Sequence, residues 1–237
     1  METRFTIALW TRANAPAADY PTIASNKDWY SGEVRDYTER SNYGFSRTSG
    51  QLPGWAIALQ PNGAWAWNLG DGTHRLDYQP TASQRIDDGS WHLIAFSVDA
   101  NTNQAHLYFD GRQVALYSLT GLEPIYGAPV IPSDSPDLHV EGFQRWDTVH
   151  SSEEIARRYQ QRDGRQAASY PTQAPGEPLR VLAWNIWNGG REDGIDEGVE
   201  RVVECIRDSG ADIIAMQETY GSGPRIADAL GYHLYLR

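Results

Sequence analysis

The amino-acid sequence predicts a mainly β protein, an antiparallel jelly-roll sandwich with a C-terminal partial α/β segment of the order β-α-β-α-β. Up to about Arg162, short apolar runs alternate with turns rich in Gly, Asn, Asp and Pro. The 9 Trp and 13 Tyr among 237 residues are an aromatic excess typical of β-rich folds. After a Pro-rich linker at residues 167–178, the spacing of the apolar residues becomes helical.

The strands of the first region follow from its turn signals. Residues 54–59 and 64–68 flank Pro61-Asn62-Gly63 and predict a hairpin. Asp110-Gly111 predicts a type I′ turn that reverses the chain. Residues 91–98 are apolar on both parities, which indicates a central strand covered on both faces. The other strand-like runs are residues 5–10, 73–78 and 104–109.

Helix signals appear only late in the chain. Ser151, with Glu154 three residues later, forms a capping box and predicts a short helix that closes the sandwich. Beyond the linker, residues 198–209 have one apolar face, and Gly210 is the expected stop. That face consists of Val199, Val202, Val203 and Ile206. A second helix is predicted over residues 224–230, with Gly231 as its stop.

Three apolar runs around these helices predict the strands of the α/β segment. They are residues 179–184, 211–216 and 232–237. The first two strands are joined by a helix, so a right-handed crossover makes them parallel neighbours. Three strands do not close an α/β sheet, so we expect residues 179–237 to be the beginning of a larger domain.

Composition limits the classes of function. Lys plus Arg is 20 and Asp plus Glu is 31, so the net charge is −11. Such an acidic chain argues against a surface that holds nucleic acid by bulk charge, but metal-dependent nuclease sites are themselves carboxylate-rich. Cys205 is the single cysteine and cannot form an internal disulfide. No run approaches the roughly 20 apolar residues of a membrane span.

Several sequence motifs of the first region occur together in a known family. They are residues 5–10, 25–29, 70–72, 88–95 and 108–111, with the closing Phe143, Trp146 and 151–155. In this order they resemble the laminin-G-like, concanavalin-A-like family of jelly rolls, over residues 1–166. The resemblance implies the sandwich fold and a lectin-like role. Because fold does not fix function, the glycan or protein ligand stays open.

The second region resembles another superfamily. Residues 179–188 (Leu-Arg-Val-Leu-Ala-Trp-Asn-Ile-Trp-Asn) and 210–219 (Gly-Ala-Asp-Ile-Ile-Ala-Met-Gln-Glu-Thr) are similar to the first two strands of endonuclease/exonuclease/phosphatase domains. The resemblance implies that Asn185 contacts the phosphate or the metal shell. It also implies that Glu218 binds a divalent cation, usually Mg²⁺.

Elementary structural chemistry agrees with this implied site. Asn185 and Glu218 follow two neighbouring parallel strands, at the carboxyl ends where open α/β sheets place their ligands. A carboxylate with space for water suits Mg²⁺, which could then act on a phosphodiester. The later His and Asp motifs of the superfamily do not occur in the sequence. We therefore expect the chain by itself to be inactive.

Each candidate residue also has a structural interpretation. Glu218 could simply face water, and Asn185 could end a strand in a turn. Asp212 is interpreted as a turn cap. In the jelly roll, Ca²⁺ could bind the oxygen-bearing side chains, although capping of turns is the favoured role. These side chains are Asn26, Asp28 and Asp71.

The aromatic residues also allow either a functional or a structural interpretation. Four tryptophans could stack on sugar rings or fill the core; they are Trp29, Trp55, Trp65 and Trp67. The alternation of Trp65 and Trp67 puts both on one face, which favours the core. We interpret His92 as a core histidine with its hydrogen bonds satisfied. Cys205 is predicted to be a buried residue of its helix.

The sequence leaves three functional hypotheses. In the first, the chain is the N-terminal part of a modular metal-dependent phosphoesterase or nuclease, and the lectin-like domain targets it to a glycan or cell-surface ligand. The pairing of domains implies an extracellular location for that enzyme. In the second, the chain is a stand-alone module that binds glycan or protein. In the third, it is a purely structural adhesion domain.

Overall fold

The structure is a computed structural model that describes residues 4–17, 20–27, 51–122, 137–162, 176, 178–192 and 194–236. Among these residues, two sheets form a sandwich, as predicted. The smaller sheet contains, in spatial order, β2 (Thr22–Ser25), β3 (Gly54–Leu59), β4 (Trp65–Gly70) and β5 (Arg75–Tyr78). All of its pairings are antiparallel.

The larger sheet has six strands in the described part of the chain. They are β1 (Arg4–Ala13), β6 (His92–Asp99), β7 (Gln104–Phe109), β8 (Arg112–Ser118), β9 (Leu138–Trp146) and β12 (Leu234–Leu236). Their spatial order is β12-β8-β7-β6-β1-β9. The pairings are antiparallel except that of β12 with β8, which is parallel.

The hydrophobic core lies between the two sheets and is built around aromatic rings. Trp65 and Trp67 are fully buried, and Trp55 is 2% exposed. The Trp67 ring packs 5.7 Å from Phe96 and 5.6 Å from Tyr117, measured between ring centroids. The core interpretation of Trp65 and Trp67 is therefore confirmed. None of these rings is available for sugar stacking.

The central strand β6 is covered on both faces, as its continuous apolar pattern predicted. Phe96 belongs to the core between the sheets, whereas Leu93 packs on the opposite face. That opposite face is covered by helix α1 (Ser152–Gln161), through Ile155 and Tyr159. The capping box is present. The Ser151 side chain accepts a hydrogen bond from the Glu154 backbone N–H, and the Glu154 side chain accepts one from the Ser151 backbone N–H.

The predicted Asp110-Gly111 turn joins β7 to β8. Asp110 has a φ of 48° and Gly111 a φ of 79°, and Phe109 pairs with Arg112 across it. Positive φ at both central residues is the requirement of a type I′ turn. The bounds of strands β2, β8 and β9 are additions to the prediction.

The C-terminal segment has the predicted order of elements. It contains β10 (Val181–Asn185), α2 (Ile195–Ser209), β11 (Ile213–Gln217), α3 (Gly223–Leu230) and β12. Gly210 and Gly231 end the two helices in the left-handed conformation that glycine favours. Strands β10 and β11 are parallel and form a two-stranded sheet of their own.

Strand β12 joins the sandwich and not the β10–β11 sheet. It pairs with β8 in the register Leu234 to Ala115 and Leu236 to Tyr117. Leu234 and Ala227 are part of the sandwich core cluster. The end of the C-terminal segment therefore extends the larger sheet of the sandwich.

The exposed position of Cys205 corrects one prediction. Val199, Val202, Val203 and Ile206 form the buried stripe of α2 as expected, but the thiol of Cys205 is exposed. At about 100° per residue, Cys205 lies about 60° outside the edge of that stripe. Among the described residues, no helix is long and apolar enough to cross a membrane.

Candidate functional site

Asn185 and Glu218 meet at the carboxyl ends of β10 and β11. Asn185 is paired with Gln217 in the register of the two strands. The Asn185 Nδ2 donates a hydrogen bond to Glu218 Oε1 at 2.9 Å. Two residues that are 33 positions apart in the sequence are therefore in direct contact, at the place where their strand positions predicted it.

The orientation of the Asn185 amide follows from its second partner. The backbone N–H of Trp187 donates to Asn185 Oδ1 at 2.9 Å, so the NH₂ group faces the carboxylate. The backbone carbonyl of Glu218 accepts a hydrogen bond from the Gly189 N–H at 2.7 Å. These bonds hold the loop after β10 against the loop after β11, and Asn185 positions the Glu218 carboxylate.

Both loops contain residues in uncommon backbone conformations. Trp187, Asn188, Glu218 and Tyr220 have φ values of 50°, 47°, 58° and 42°. Such conformations cost about 1–3 kcal/mol each when they occur outside glycine, and they are concentrated at functional sites. Trp187 and Tyr220 are also 64% and 55% exposed. The indole N–H of Trp187 donates to Glu192 Oε1 at 2.8 Å, which fixes the ring in this exposed position.

The residues of this site form only part of a ligand set for a divalent cation. Glu218 provides one carboxylate, and the Asn185 oxygen already accepts one hydrogen bond, from the Trp187 N–H. No group of three or more His, Cys, Asp or Glu side chains with metal-binding geometry occurs among the described residues. Mg²⁺ accepts one or two carboxylates and keeps several waters. One carboxylate is within the number of protein ligands that Mg²⁺ accepts, so the residues present are compatible with this cation.

Asp212 caps the entrance of β11, as predicted. Its Oδ2 accepts a hydrogen bond from the Arg180 N–H at 2.8 Å. The backbone carbonyl of Arg180 in turn accepts from the N–H groups of Asp212 and Ile213. Asp212 thus lies at the opposite end of the strands from Glu218, and it has a structural role.

The candidate ligands in the jelly roll bind backbone groups in this structure. Asn26 Oδ1 accepts from the Trp55 N–H at 2.6 Å. Asp71 Oδ1 accepts from the N–H groups of Thr73 and His74 at 2.7 and 2.6 Å. These contacts are the capping role that Asn and Asp often have in turns. Asp28 and Trp29 lie outside the described residues, and Ca²⁺ binding at these positions stays a prediction.

A polar network on the smaller sheet was missed by the sequence analysis. Lys27 donates to Asn68 Oδ1, and Asn68 Nδ2 donates to Asp77 Oδ1 at 2.8 Å. Asp77 also pairs with Arg75 at 2.9 Å. Burial lowers the pKa of Lys27 from 10.5 to about 8, although the Asp77 charge opposes this shift. The members come from separate strands and loops, so no spacing in the sequence marks them.

His92 lies between two carboxylates. Its Nδ1 is 2.8 Å from Asp110 Oδ2, and its Nε2 is 3.1 Å from Asp88 Oδ1. Burial by itself would lower the pKa of His92, but the hydrogen bonds and charges of Asp110 and Asp88 outweigh it and raise the pKa above 6.5. Both ring nitrogens of His92 thus have partners as predicted, but His92 is only partly buried and lies outside the core clusters. Its partners favour the protonated imidazole.

The comparison with protein families identifies the sandwich. A laminin-G family model, described as the concanavalin A-like lectin/glucanases superfamily, matches residues 2–156. The chain belongs to this family. The match covers more than half of the sequence and confirms the resemblance of the jelly-roll region. The Asn185–Glu218 site lies outside the matched residues.

Three of the similar solved structures are binding domains of botulinum neurotoxins. For serotype G the identity is 15% with a TM-score of 0.45, covering 66% of this chain and 36% of that chain. For the serotype D domain, the identity is 14% and the TM-score 0.47, and the match covers 67% of this chain and 36% of that chain. For the receptor binding domain of the C/D mosaic serotype, the identity is 13% and the TM-score 0.47, and the match covers 68% of this chain and 37% of that chain. The chain thus spans about a third of their length. No curated protein matches the sequence.

Proposed function

We propose that this chain is the targeting part of a modular, extracellular, metal-dependent phosphoesterase or nuclease. Its C-terminal segment provides Asn185 and Glu218 as the first two groups of a Mg²⁺ site. The observation that carries the proposal is the 2.9 Å hydrogen bond between these two side chains at the ends of adjacent parallel strands. The concanavalin A-like sandwich carries out the targeting.

The β10–β11 sheet gives independent support for a larger catalytic domain. Val181 and Ile213, paired in register, are 64% and 48% exposed on one face of this sheet. Parallel sheets are normally covered on both faces, because helical crossovers pack on each side. In the described residues, only one face is covered. Further strands and helices of the intact enzyme would cover the other face.

The roles of the two residues follow from their geometry. Glu218 would hold the cation through its carboxylate, and Asn185 would keep that carboxylate in place through its NH₂ group. The cation would polarise a phosphoryl oxygen and neutralise charge that develops during hydrolysis. Two groups are too few for this chemistry, so the chain itself is proposed to be inactive.

Cation binding to the chain tests the site directly. Mn²⁺ serves as a paramagnetic analogue of Mg²⁺, and its binding is followed by water-proton relaxation. We expect weak, saturable binding that is lost in Glu218→Gln and weakened about tenfold in Asn185→Ala, the effect usual for a residue that positions a metal ligand. Glu204→Gln, on the exposed face of α2, is the matched control. Equal Mn²⁺ affinity of Glu218→Gln and the original chain would contradict the proposal.

A second candidate is that the sandwich binds a glycan on its own. The family match covers residues 2–156 and ends before the C-terminal segment, so the family resemblance belongs to the sandwich alone. Calorimetry with a panel of glycans, with and without Ca²⁺, tests this candidate. Absence of binding across a broad panel would count heavily against this candidate.

A further inference from the structure

A cleft of about 370 Å³ lies between the smaller sheet of the sandwich and the C-terminal segment. Strand β5 lines it from the sandwich, and the loop after β11 with the start of α3 lines it from the C-terminal segment. The β8–β12 pair contributes Tyr117 and Leu236. The volume is within the range of about 300–1,000 Å³ that is usual for small-molecule sites. Neither Asn185 nor Glu218 lines the cleft.

The cleft nevertheless begins directly beside the Glu218 loop. Thr219, Tyr220 and Gly221, the three residues after Glu218, line it. Consecutive Cα atoms are about 3.8 Å apart, so the Cα of Tyr220 lies no more than about 7.6 Å from that of Glu218. The loop is held in this position, because the Tyr220 carbonyl accepts a hydrogen bond from Arg191 Nη2 at 2.5 Å. A ligand bound at Glu218 therefore needs only a few more atoms to enter the cleft.

Contacts between the sandwich and α3 hold the two sides of the cleft together. The Asp228 carboxylate of α3 accepts four hydrogen bonds, two from Thr81, one from Ser83 and one from Gln84. A carboxylate has capacity for about four such bonds, so Asp228 is saturated. Together with the β8–β12 pairing, these contacts form the cleft before a ligand binds, which lowers the entropic cost of binding.

The charge on the sandwich side of the cleft is positive. Among the described residues, the charged side chains that line the cleft are Arg75 and Asp77. Asp77 is already bound, since its Oδ2 lies 2.9 Å from Arg75 Nε and its Oδ1 accepts from Asn68 Nδ2 at 2.8 Å. Lys27, joined to this network through Asn68, is mostly protonated at neutral pH, because burial lowers its pKa only to about 8. Two cations therefore share one carboxylate.

Arg75 is suited to bind a second anion. A guanidinium has five N–H donors in a planar fork, of which one carboxylate takes at most two in the usual bidentate geometry. The Arg75 side chain is 13% exposed, so it lines the cleft in a largely buried position where water weakens an ion pair less. A second anion at Arg75 would offset the surplus positive charge of the network, whereas a cationic ligand would add to it.

We propose that this cleft binds a second anionic group, a carboxylate or a phosphate, of the substrate of the phosphoesterase, and that Arg75 recognises it. The inference rests on the proposed function, because it needs the scissile phosphate at Glu218. The substrate class is thereby narrowed to phosphoesters that carry another anionic group a few bonds from the first. The sandwich then forms part of the substrate site in addition to its targeting role.

Calorimetry on the whole chain loaded with Mn²⁺ tests the cleft. The probes share a three-carbon skeleton: glycerol 3-phosphate has one anionic group, 3-phosphoglycerate adds a carboxylate, and glycerol 1,3-bisphosphate adds a phosphate. We expect the better of the two doubly anionic probes to bind about tenfold or more tightly than glycerol 3-phosphate, as for a hydrogen bond to a charged group. Chelation of Mn²⁺ by a probe in solution is the same for every variant, so this ratio of affinities is compared between variants.

Charge variants locate the second anionic group. Arg75→Gln removes the cation, and we expect the ratio to fall to near one. Arg4 pairs with Asp99 at 3.2 Å and does not line the cleft, so Arg4→Gln is the matched control and should keep the ratio. Tyr220 is 55% exposed and keeps the test decisive if Arg75→Gln is unstable. Tyr220→Glu and Tyr220→Gln remove the same ring and differ in charge, and only Tyr220→Glu should lower the ratio.

The possible failures are distinguishable. A ratio near one in the original chain, a ratio that survives Arg75→Gln or Tyr220→Glu, or no measurable binding of the doubly anionic probes at millimolar concentrations would overturn the inference. Each of these results leaves Mn²⁺ binding at Glu218 intact, and with it the proposed function. Failure of the proposed function would instead appear as a Mn²⁺ affinity that Glu218→Gln does not change.

Discussion

The sandwich and the β10–β11 sheet contain similar apolar runs, but they bury them differently. Every residue of β3 and β4 is buried. In β10 and β11, exposed residues alternate with half-buried ones. In the sandwich, the central strand β6 is covered on one face by the opposing sheet and on the other by helix α1, whereas α2 and α3 cover only one face of the C-terminal sheet in the described residues. An apolar run therefore predicts a strand, but it does not predict how many of its faces are covered.

The largest expected effect of this difference concerns tryptophan. Trp67→Ala removes a fully buried ring from the core between the sheets, and we expect a loss of about 3–5 kcal/mol in the free energy of unfolding. Trp184→Ala, in the half-buried row of β10, should lose less than half as much. Urea unfolding of both variants measures the comparison. Equal losses would mean that the C-terminal sheet is packed as tightly as the sandwich.

The buried polar network of the smaller sheet comes next. Asn68 is fully buried and links Lys27 to Asp77. Asn68→Ala leaves both charged groups without this partner, and we expect a loss of about 2–3 kcal/mol in stability. Asn185→Ala, the same change at the exposed end of β10, removes two solvent-exposed hydrogen bonds and should lose no more than about 1 kcal/mol. A small effect at both positions would show that the network has no structural role.

The third prediction concerns the pH dependence of the sandwich. The pKa of His92 is raised in the folded protein, so its stabilising contribution is fully present below about pH 6.5 and is lost as the pH rises through the folded value. His92→Asn should therefore be more destabilising at pH 5.5 than at pH 8.5, by roughly 1–2 kcal/mol. Urea unfolding at both pH values checks this. A difference that is independent of pH would indicate that the imidazole stays neutral between Asp88 and Asp110.

The smallest effect is expected on the open face of the C-terminal sheet. Val181 is 64% exposed, whereas Val98 in β6 is fully buried. Val98→Ala should lose about 2 kcal/mol through the lost methyl groups and the cavity they leave, and Val181→Ala should change the stability by less than about 0.5 kcal/mol. Thermal and urea unfolding of this matched pair measure the difference. A large loss for Val181→Ala would show that this face is covered in solution.

Local signals in the sequence were sufficient for much of the fold. The Asp110-Gly111 turn, the capping box of Ser151 and Glu154 and the glycine stops at Gly210 and Gly231 formed as predicted. Each depends on a few adjacent residues and on backbone conformations that only certain side chains allow. The contact between Asn185 and Glu218 was also predictable, because two parallel strands joined by one helix place their ends together.

The sequence alone thus determined the sandwich, the order of the elements and the approach of Asn185 to Glu218, since these follow from local periodicity, turn chemistry and chain connectivity. Only the tertiary structure decided that β12 pairs with β8, that Asp228 is held by residues 144–147 positions away and that Cys205 is exposed. These features depend on which surfaces meet after the elements have formed. No pattern along the sequence predicts these contacts, because the partners share neither a turn nor a helix face.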